Sequence, residues 1–289
     1  MNSGTSSHQL YVLYHANCLD GTGAKYAAWK KFGKDAVYIP VQYGKPFPEL
    51  VPLTEDSEVY ILDFSYSKEV LIDVHSKVGS LVVLDHHKTA QAELSGLLFA
   101  VFDMEKSGAV MAWEFFNAGT PVPQLLLNIE DGDLWKFTLP FTKEVRAGLP
   151  LLGGKMEAWD MVCLHGNHFA DLVTKGAAIM EHNKMKVGSV VKGGIAVLPY
   201  KGYKAGVYNT TVLVSEMGEA VYNSEKLGVD FSMSFFVTET GEVVISFRSR
   251  GNMDVSVLAK ELGGGGHKNA AGAGRVTLGF IQDLFDGKL

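Results

Sequence analysis

The chain has 289 residues, of which 47% are hydrophobic and 20% are charged. This composition excludes an intrinsically disordered protein, and the length is typical of two modest domains. The net charge is −6, from 26 basic and 32 acidic residues. Phosphate contacts need a basic surface, so we expect no long duplex nucleic acid as a partner. No run approaches the roughly 20 apolar residues of a membrane span, and no membrane partner is expected.

The cellular compartment is indicated by the start of the sequence and by the cysteines. The first ten residues, MNSGTSSHQL, lack the basic start and apolar run of a secretory signal peptide. The two cysteines, Cys18 and Cys163, are too few for a disulfide framework, which is typical of proteins in a reducing compartment. We therefore expect a cytoplasmic protein.

The first half of the chain alternates short apolar runs with windows of helical spacing. The predicted strands cover residues 10–15, 36–40, 58–63 and 80–85. The predicted helices cover residues 21–32, 67–77, 107–117 and 123–130. Apolar strands separated by helices are typical of a parallel sheet covered on both faces. We therefore predict an N-terminal domain with a doubly wound parallel sheet.

The second half has a different pattern. After a stretch of turns and short helices, a connector helix is predicted from His168 to Met185. From Ser189 strand-like runs dominate, with a hairpin that turns at Thr240-Gly241 and a helix from Val255 to Leu262. The predicted fold class is therefore α/β, with a smaller C-terminal mixed α/β domain joined by the connector helix. The predicted domains are residues 1–186 and 187–289.

Acidic and imidazole side chains lie where four predicted elements end. They are His15 with Cys18 and Asp20, then Asp63, then Asp85 with His86 and His87, and finally Asp131 with Asp133. The carboxyl ends of parallel strands carry the sites of open α/β sheets, so we expect these side chains to gather. Each alone is more often a helix cap or a structural group. Together they are the ligand types of Mn²⁺ and Mg²⁺, whereas the spacing for a tetrahedral zinc site is lacking.

These residues lie in segments that resemble the motifs of a known family. Asp85-His86-His87 after an apolar strand resembles the signature of the DHH phosphoesterases, which include RecJ-type single-strand exonucleases, oligoribonucleases and phosphoadenosine phosphatases. Residues 15–21 resemble the first family motif in the form HxxCxDG, LDFSYS around Asp63 the second, and IEDGDLW around Asp131 the fourth. GGGGHKNAAGAG, residues 263–274, resembles the DHH-associated C-terminal domain. The resemblance covers nearly the whole chain.

The resemblance implies a centre of two divalent cations, with Mn²⁺ preferred and Mg²⁺ or Co²⁺ as alternatives. The implied metal ligands are His15, Asp20, Asp63, His86 and Asp131, with Asp63 shared by both ions. In the same scheme two catalytic residues assist: Asp85 orients the imidazole of His86, and His87 faces the substrate phosphate. Two ions about 3.5–4 Å apart neutralise phosphate oxygens and activate a water for in-line attack.

Two positions of this scheme stay open. Cys18 stands where the first motif usually has an aspartate; it is either a thiolate ligand or a small buried group. Thiolates prefer softer ions than Mn²⁺ and free cysteines are commonly buried, so we favour the second interpretation. Asp131 is preferred to Asp133 as the fourth-motif ligand because it directly ends the apolar run. Asp133 is then expected to support the ligands or to cap a turn.

The glycine run of the second domain predicts a local anion-binding loop. Glycines let backbone N–H groups approach a ligand closely, and a helix beginning after them would add a favourable dipole. The alternative is a flexible helix end after Leu262. Arg248 and Arg250 alternate along a predicted strand and point to one face, from which Arg248 reaches a phosphate. The predicted substrate contacts are Arg248, Gly265, Gly266, His267, Lys268 and Asn269.

We predict from these features a Mn²⁺-dependent phosphodiesterase, similar to exonucleases and oligoribonucleases, that hydrolyses short oligonucleotides or dinucleotides to mononucleotides. The second domain is expected to hold the terminal nucleotide or its phosphate. One alternative is a phosphomonoesterase or phosphoanhydride hydrolase that acts on phosphoadenosine phosphate or polyphosphate. Another is a nucleotide-binding protein with a degraded metal site. The sequence leaves the exact substrate and the oligomeric state, a homodimer included, open.

Overall fold

The computed structural model describes residues 9–289. The signal-peptide prediction rests mainly on residues 1–8, which lie outside the described residues. The contacts divide the chain into one unit that ends at Ile179 and a second unit, Met180–Leu289. The division falls inside a long helix, Gly166–Gly193, which also contains the predicted boundary after residue 186. Within the described part of the chain, no helix is both long enough and apolar enough to cross a bilayer.

The first unit is built on a five-stranded parallel sheet. Its strands are β1 Gln9–His15, β2 Ala36–Val41, β3 Ser57–Leu62, β4 Ser80–Asp85 and β5 Ala100–Phe102. They lie in the order β2-β1-β3-β4-β5, and every neighbouring pair is parallel. The prediction of a parallel sheet is confirmed. Only β5, which has three residues, was not among the predicted strands.

Helices cover both faces of this sheet. The helices of this part of the chain are α1 Leu19–Phe32, α2 Lys68–His75, α3 Lys88–Glu93, α4 Gly108–Phe116, α5 Gln124–Asp133, α6 Thr142–Gly148, α7 Met156–Leu164 and α8 Gly166–Gly193. Of these, α1, α2 and α4 contact the strands. Alternate residues of β3 enter different cores, since successive side chains of a strand point to opposite faces. Tyr60 and Leu62 pack with α1 and α4, whereas Val59 and Ile61 pack with Leu71 of α2. The doubly wound arrangement is therefore confirmed.

An aromatic cluster fills the core between α1, α4 and α7. The ring of Tyr26 stacks against Trp29 and Trp113 and lies 6.2 Å from the ring of Trp159. Trp159 is 1% exposed, and its indole N–H donates to the carbonyl of Gly153 at 3.1 Å. This packing holds α1, which carries part of the first motif, in a fixed position on the sheet.

The second unit contains a six-stranded mixed sheet. Its strands are β6 Ala196–Tyr200, β7 Tyr203–Asn209, β8 Phe231–Val237, β9 Val243–Arg248, β10 Gly265–His267 and β11 Ala270–Val276, in the order β10-β11-β9-β8-β7-β6. Its helices are α9 Val214–Tyr222, α10 Val255–Glu261 and α11 Leu278–Phe285. Only β7 and β8 are parallel to each other. The predicted mixed α/β domain and the hairpin between β8 and β9, where Gly241 has φ 80°, are confirmed.

Two segments of the second unit differ from the prediction. The strand-like run from Ser189 is helical up to Gly193, because Val187 and Val191, one helical turn apart, pack with Met217 of α9. The glycine run leads into a strand and not into a helix, since β10 pairs with β11 in an antiparallel hairpin. A Cβ on Gly266 would come within 2.6 Å of the carbonyl oxygen of Ala270. Close approach of the two strands therefore explains this glycine.

The aromatic cluster generates a stability prediction. Replacing the buried indole by a methyl group, Trp159→Ala, should lower the free energy of unfolding by about 3–5 kcal/mol, because it leaves a large cavity. Trp135 is 79% exposed, and Trp135→Ala should change stability by less than about 0.5 kcal/mol. Urea unfolding of both variants measures the difference, and equal midpoints would contradict the packing described.

Candidate metal centre

The polar residues singled out in the first unit meet at the carboxyl ends of three neighbouring strands. His15 ends β1, Asp63 follows β3, and Asp85 ends β4 and is followed by His86 and His87. Because β1, β3 and β4 are adjacent and parallel, these ends lie side by side at one edge of the sheet. The sheet topology thus brings together residues that are far apart in the sequence.

Asp63 is the central residue of this cluster. It is 1% exposed, and neither of its carboxylate oxygens has a hydrogen-bond partner. The nearest basic atoms are Nε2 of His86, 3.2 Å from Oδ1, and Nδ1 of His15, 3.5 Å from Oδ2. Burial alone would raise the pKa of Asp63, but the two imidazoles hold it below its usual value. A buried anion with both oxygens free fits a cation site, because an unpaired buried charge is otherwise costly.

The backbone at Asp63 adopts a conformation that few non-glycine residues take. Its φ is 56°, in the left-handed region, and such strain is commonly kept at functional sites. Gly108, the first residue of α4, lies directly against it: a Cβ on Gly108 would come within 2.5 Å of the Cβ of Asp63. A glycine is therefore required where α4 begins, and α4 determines how deeply the Asp63 carboxylate sits.

The beginning of α4 also holds Asp20. The backbone N–H groups of Gly108 and Ala109 donate to Oδ2 and Oδ1 of Asp20 at 2.6 and 2.9 Å. These donors belong to the helix N-terminus, which favours a negative charge. Burial, and then the charges of Asp63 and Asp133, nevertheless raise the pKa of Asp20 well above its usual value. A cation beside Asp20 would offset that repulsion.

Three carboxylates face a single imidazole nitrogen at His86. Its Nε2 lies 3.2 Å from Asp63 Oδ1, 3.4 Å from Asp20 Oδ2 and 3.6 Å from Asp133 Oδ2. Burial opposes protonation of His86, but these three acids together raise its pKa to about 9. A protonated His86 can balance the charge of only one of these three carboxylates. The donor set, one nitrogen with several carboxylate oxygens, fits an ion such as Mn²⁺ or Mg²⁺.

The structure places Asp133, and not Asp131, in the cluster. The carboxylate of Asp131 accepts hydrogen bonds from the backbone N–H and hydroxyl of Thr138, from the backbone N–H of Leu139 and from the hydroxyl of Thr142. Burial would raise the pKa of Asp131, but these bonds lower it to about 2. Helix α5 continues beyond the predicted end at Glu130, so that residues 131 and 133 point to nearly opposite sides. Asp131 therefore anchors the following loop, and Asp133 supplies the carboxylate beside His86.

Asp85 has a different partner from the one predicted. Its Oδ1 contacts Nδ1 of His87 at 2.6 Å, whereas His86 reaches it only through its backbone N–H at 2.8 Å. Its Oδ2 accepts from the hydroxyl of Ser65 at 2.6 Å. The bond with Asp85 raises the pKa of His87 against the opposing effect of burial. Asp85 therefore orients the imidazole of His87, because His86 turns its ring toward Asp63 instead.

The possible ligand atoms form three overlapping groups, of which two contain Asp63 and two contain His86. His15, Cys18 and Asp63 form one group, Asp63, His86 and His87 a second, and Asp20, His86 and Asp133 a third; within each group the ligand atoms lie within 4.8 Å of one another. Burial raises the pKa of the Cys18 thiol to about 12, with a further contribution from Asp63. The overlap at Asp63 is the arrangement that two neighbouring ions need, since one carboxylate can bind both.

Sequence reasoning missed Tyr43, which lies at the same edge of the sheet. The Tyr43 ring is 5.4 Å from the His15 ring, 6.2 Å from the His87 ring and 4.4 Å from the Phe64 ring. It is half exposed, so its ring forms part of the accessible surface beside the cluster. Tyr43 follows β2, a strand whose end carries no acid or imidazole, and therefore no sequence signal indicated it.

The predicted substrate contacts of the second unit lie in β9, in β10 and in the turn that follows β10. Ala270 is opposite both Arg248 and His267, so these side chains share one face. The Arg248 guanidinium donates to the Phe247 carbonyl at 2.9 Å and to the Ser215 hydroxyl at 3.4 Å. The Asn269 amide is a structural group, since it donates to the Ser249 hydroxyl and the Met253 carbonyl.

The other residues predicted to contact substrate differ in their exposure and in their hydrogen bonds to the protein. Lys268 is exposed and contacts Asn252 at 3.3 Å. Gly265 is open, because nothing lies within 4 Å of a Cβ built there. Arg250, expected on the same face as Arg248, lies beyond the end of β9 and bonds to Asn223. Substrate binding by Arg248, Gly265, Gly266, His267, Lys268 and Asn269 stays a prediction.

Comparison with known proteins finds a family match within the second unit and one relative over most of the chain. Residues 210–286 match the DHHA1 domain family. An uncharacterized protein, R106 of Acanthamoeba polyphaga mimivirus, is 30% identical over 280 residues, which are 90% of this chain and 66% of R106. The chain thus spans about two thirds of the length of that relative.

Two solved structures align with most of the chain. PggH, a pGpG-specific phosphodiesterase from Vibrio cholerae, aligns over 96% of both chains with a TM-score of 0.56 and 14% identity. An uncharacterized protein from Helicobacter pylori G27 aligns over 92% of both chains with a TM-score of 0.46 and 16% identity. At these identities the likeness to PggH describes the fold.

The different surroundings of Asp131 and Asp133 generate a matched pair of variants. Asp133→Asn should weaken Mn²⁺ binding by roughly tenfold or more, because it removes a charge beside His86. Asp131→Asn should leave Mn²⁺ affinity almost unchanged and lower the free energy of unfolding by about 1–3 kcal/mol, because it breaks the bonds to the loop. Titration calorimetry on metal-free protein and urea unfolding measure the two effects. Loss of Mn²⁺ binding in Asp131→Asn alone would contradict this placement.

Proposed function

We propose that the chain is a DHH-family phosphoesterase and, from the DHHA1 match of residues 210–286 and the cluster around Asp63, that it is a metal-dependent phosphodiesterase. The proposed substrates are linear dinucleotides and short oligonucleotides, and the proposed products are mononucleotides. The observation that carries the proposal is the buried Asp63 carboxylate with two free oxygens between two imidazoles. No covalent nucleophile is needed for such a reaction.

We propose that the cluster holds two divalent cations, with Mn²⁺ preferred. His15 and Asp63 would hold the first, while Asp20, His86 and Asp133, with Asp63 beside His86, would hold the second. When bound, such ions neutralise phosphate oxygens and activate a water for attack on phosphorus. The protein contributes ligands whose positions are fixed in advance by strand ends and by the beginning of α4, so little reorganisation is needed.

His87 is proposed as the group that contacts the substrate phosphate. Its side chain is 36% exposed, and Asp85 holds its Nδ1, so that Nε2 is the ring nitrogen left for a substrate. Asp85 favours the protonated ring, in which Nε2 carries a proton that it can donate to a phosphate oxygen or to the leaving oxygen. Asp85 thus acts as a positioning residue, and Ser65 fixes Asp85 from the other side.

The second unit is proposed to bind a terminal phosphate of the substrate. Arg248 and His267 lie on one face of its sheet, and the small residues Gly265 and Ala270 leave that face low enough for a ligand to approach. A guanidinium and an imidazole are suitable donors to phosphate oxygens. This local contact is compatible with the overall charge of −6, which disfavours long nucleic acids.

The name of PggH suggests the first substrate to test, the linear dinucleotide pGpG. Wild-type protein with Mn²⁺ should release mononucleotides from pGpG, and a chelator should stop the reaction. Asp63→Asn should lower the rate by about two to three orders of magnitude or more, because it weakens the shared ligand. Asp73→Asn, at an exposed salt bridge to Lys77, serves as the matched control and should retain full activity. Chromatography of the products follows the reaction.

Different products would identify a different enzyme or none. Release of free phosphate from phosphoadenosine phosphate while pGpG stays intact would indicate a phosphomonoesterase with the same cluster. Absence of hydrolysis with Mn²⁺ on pGpG, phosphoadenosine phosphate and polyphosphate would contradict the proposed activity, as would full activity of Asp63→Asn.

A further inference from the structure

Cys18 is the residue of the cluster to which the proposed function gives no role. Its sulfur belongs to the group with His15 and Asp63, in which the three ligand atoms lie within 4.8 Å of one another. Both Asp63 oxygens and Nδ1 of His15 are buried without hydrogen-bond partners. The sulfur therefore lies beside two groups whose polar atoms are unpaired, at the position proposed for the first ion.

The backbone holds Cys18 at this position. Asn17, with φ 57°, reverses the chain between His15 and Cys18. Cys18 is the N-cap residue of α1, but its side chain makes no capping hydrogen bond and stays available. Gly21 packs against His15, because a Cβ on Gly21 would come within 2.8 Å of the His15 Cβ. The 14-residue helix α1 begins directly after Cys18 and so fixes the position of its backbone.

Resting on the proposed metal centre, we propose that Cys18 binds the first ion as a thiolate, so that the two positions take ions of different classes. The first position offers a nitrogen, a sulfur and the shared Asp63 carboxylate, a set typical of Zn²⁺ or Co²⁺. The second position offers one imidazole and only carboxylate oxygens, which suit Mn²⁺ or Mg²⁺. The thiol loses its proton to solvent when the first ion binds.

Cys163, the other cysteine of the chain, serves as a structural comparison for Cys18. It lies on α7 and packs against the core of the first unit, outside the groups of ligand atoms described above. These are the chain's two cysteines, so a metal–sulfur signal has to come from one or the other. Cys163→Ser is therefore the matched control for Cys18→Ser.

Titration of the metal-free protein with Co²⁺ tests the inference without measuring activity. A Co²⁺-bound thiolate gives a charge-transfer absorption in the near ultraviolet, and we expect one such site per chain in wild type and in Cys163→Ser. Cys18→Ser should lose this absorption. Its Zn²⁺ affinity should fall at least about tenfold, which is the smallest loss typical when a residue that supports a metal ligand is removed. Cys18→Asp should bind two ions without the absorption and should prefer Mn²⁺ over Zn²⁺.

Several outcomes would overturn the inference. These are a wild-type protein that binds Co²⁺ without the absorption, a Cys18→Ser variant that keeps it, or a Cys18→Asp variant with unchanged ion preference. Circular dichroism checks that the variants are folded. If Cys18→Ser does not fold, Cys18→Asp still tests the inference.

The test also separates this inference from the proposed function. Hydrolysis of pGpG with Mn²⁺ but without the thiolate absorption would refute only the role of Cys18 and would leave the proposed function intact. A thiolate signal without hydrolysis of any phosphodiester would refute the activity alone.

Discussion

A carboxylate buried without a hydrogen-bond donor is the constraint around which the first unit is organised. Asp63 brings a negative charge to a position that is 1% exposed, and its two nearest basic atoms are the imidazole nitrogens of His15 and His86. Holding it there requires a left-handed backbone and a glycine at the beginning of α4. Burying and straining an acid in this way is unfavourable for folding, and a cation at the site would compensate for it.

Around Asp63, some acidic side chains stay free at the cluster, whereas other groups hold neighbouring side chains in position. The N-terminus of α4 holds Asp20, and the loop after α5 holds Asp131 away from the cluster so that Asp133 faces His86. Asp85 aligns His87 and leaves its outer nitrogen accessible. Hydrogen bonds to the backbone and to hydroxyl groups thus decide which acids are free to bind an ion and which are structural.

Much of this arrangement could be predicted from the sequence. Apolar runs that end in His15, Asp63 and Asp85 predicted the strands, and a parallel sheet necessarily places their ends together. The preference for Asp131 over Asp133 does not agree with the structure, because the choice depends on where α5 ends and which way each residue points. Which imidazole Asp85 contacts depends on how the rings of His86 and His87 are rotated. Tyr43 lies beside the site but follows β2, whose end carries no acid or imidazole. Such details depend on tertiary packing rather than on local pattern.

The glycine run shows a second limit of sequence reasoning. Consecutive glycines fit an anion-binding loop before a helix as well as a closely packed hairpin, and only strand pairing distinguishes the two. The hairpin still leaves His267 and Arg248 on one face, so the proposed phosphate contact depends on side chains rather than on a helix dipole.

The central claim is that Asp63 is shared by two divalent cations. Anomalous diffraction from crystals of the metal-free protein soaked in Mn²⁺ together with Co²⁺ tests it most directly. We expect two anomalous peaks, one on each side of the Asp63 carboxylate, with the second also beside Asp133. A single peak, or peaks that do not contact Asp63, would contradict the account.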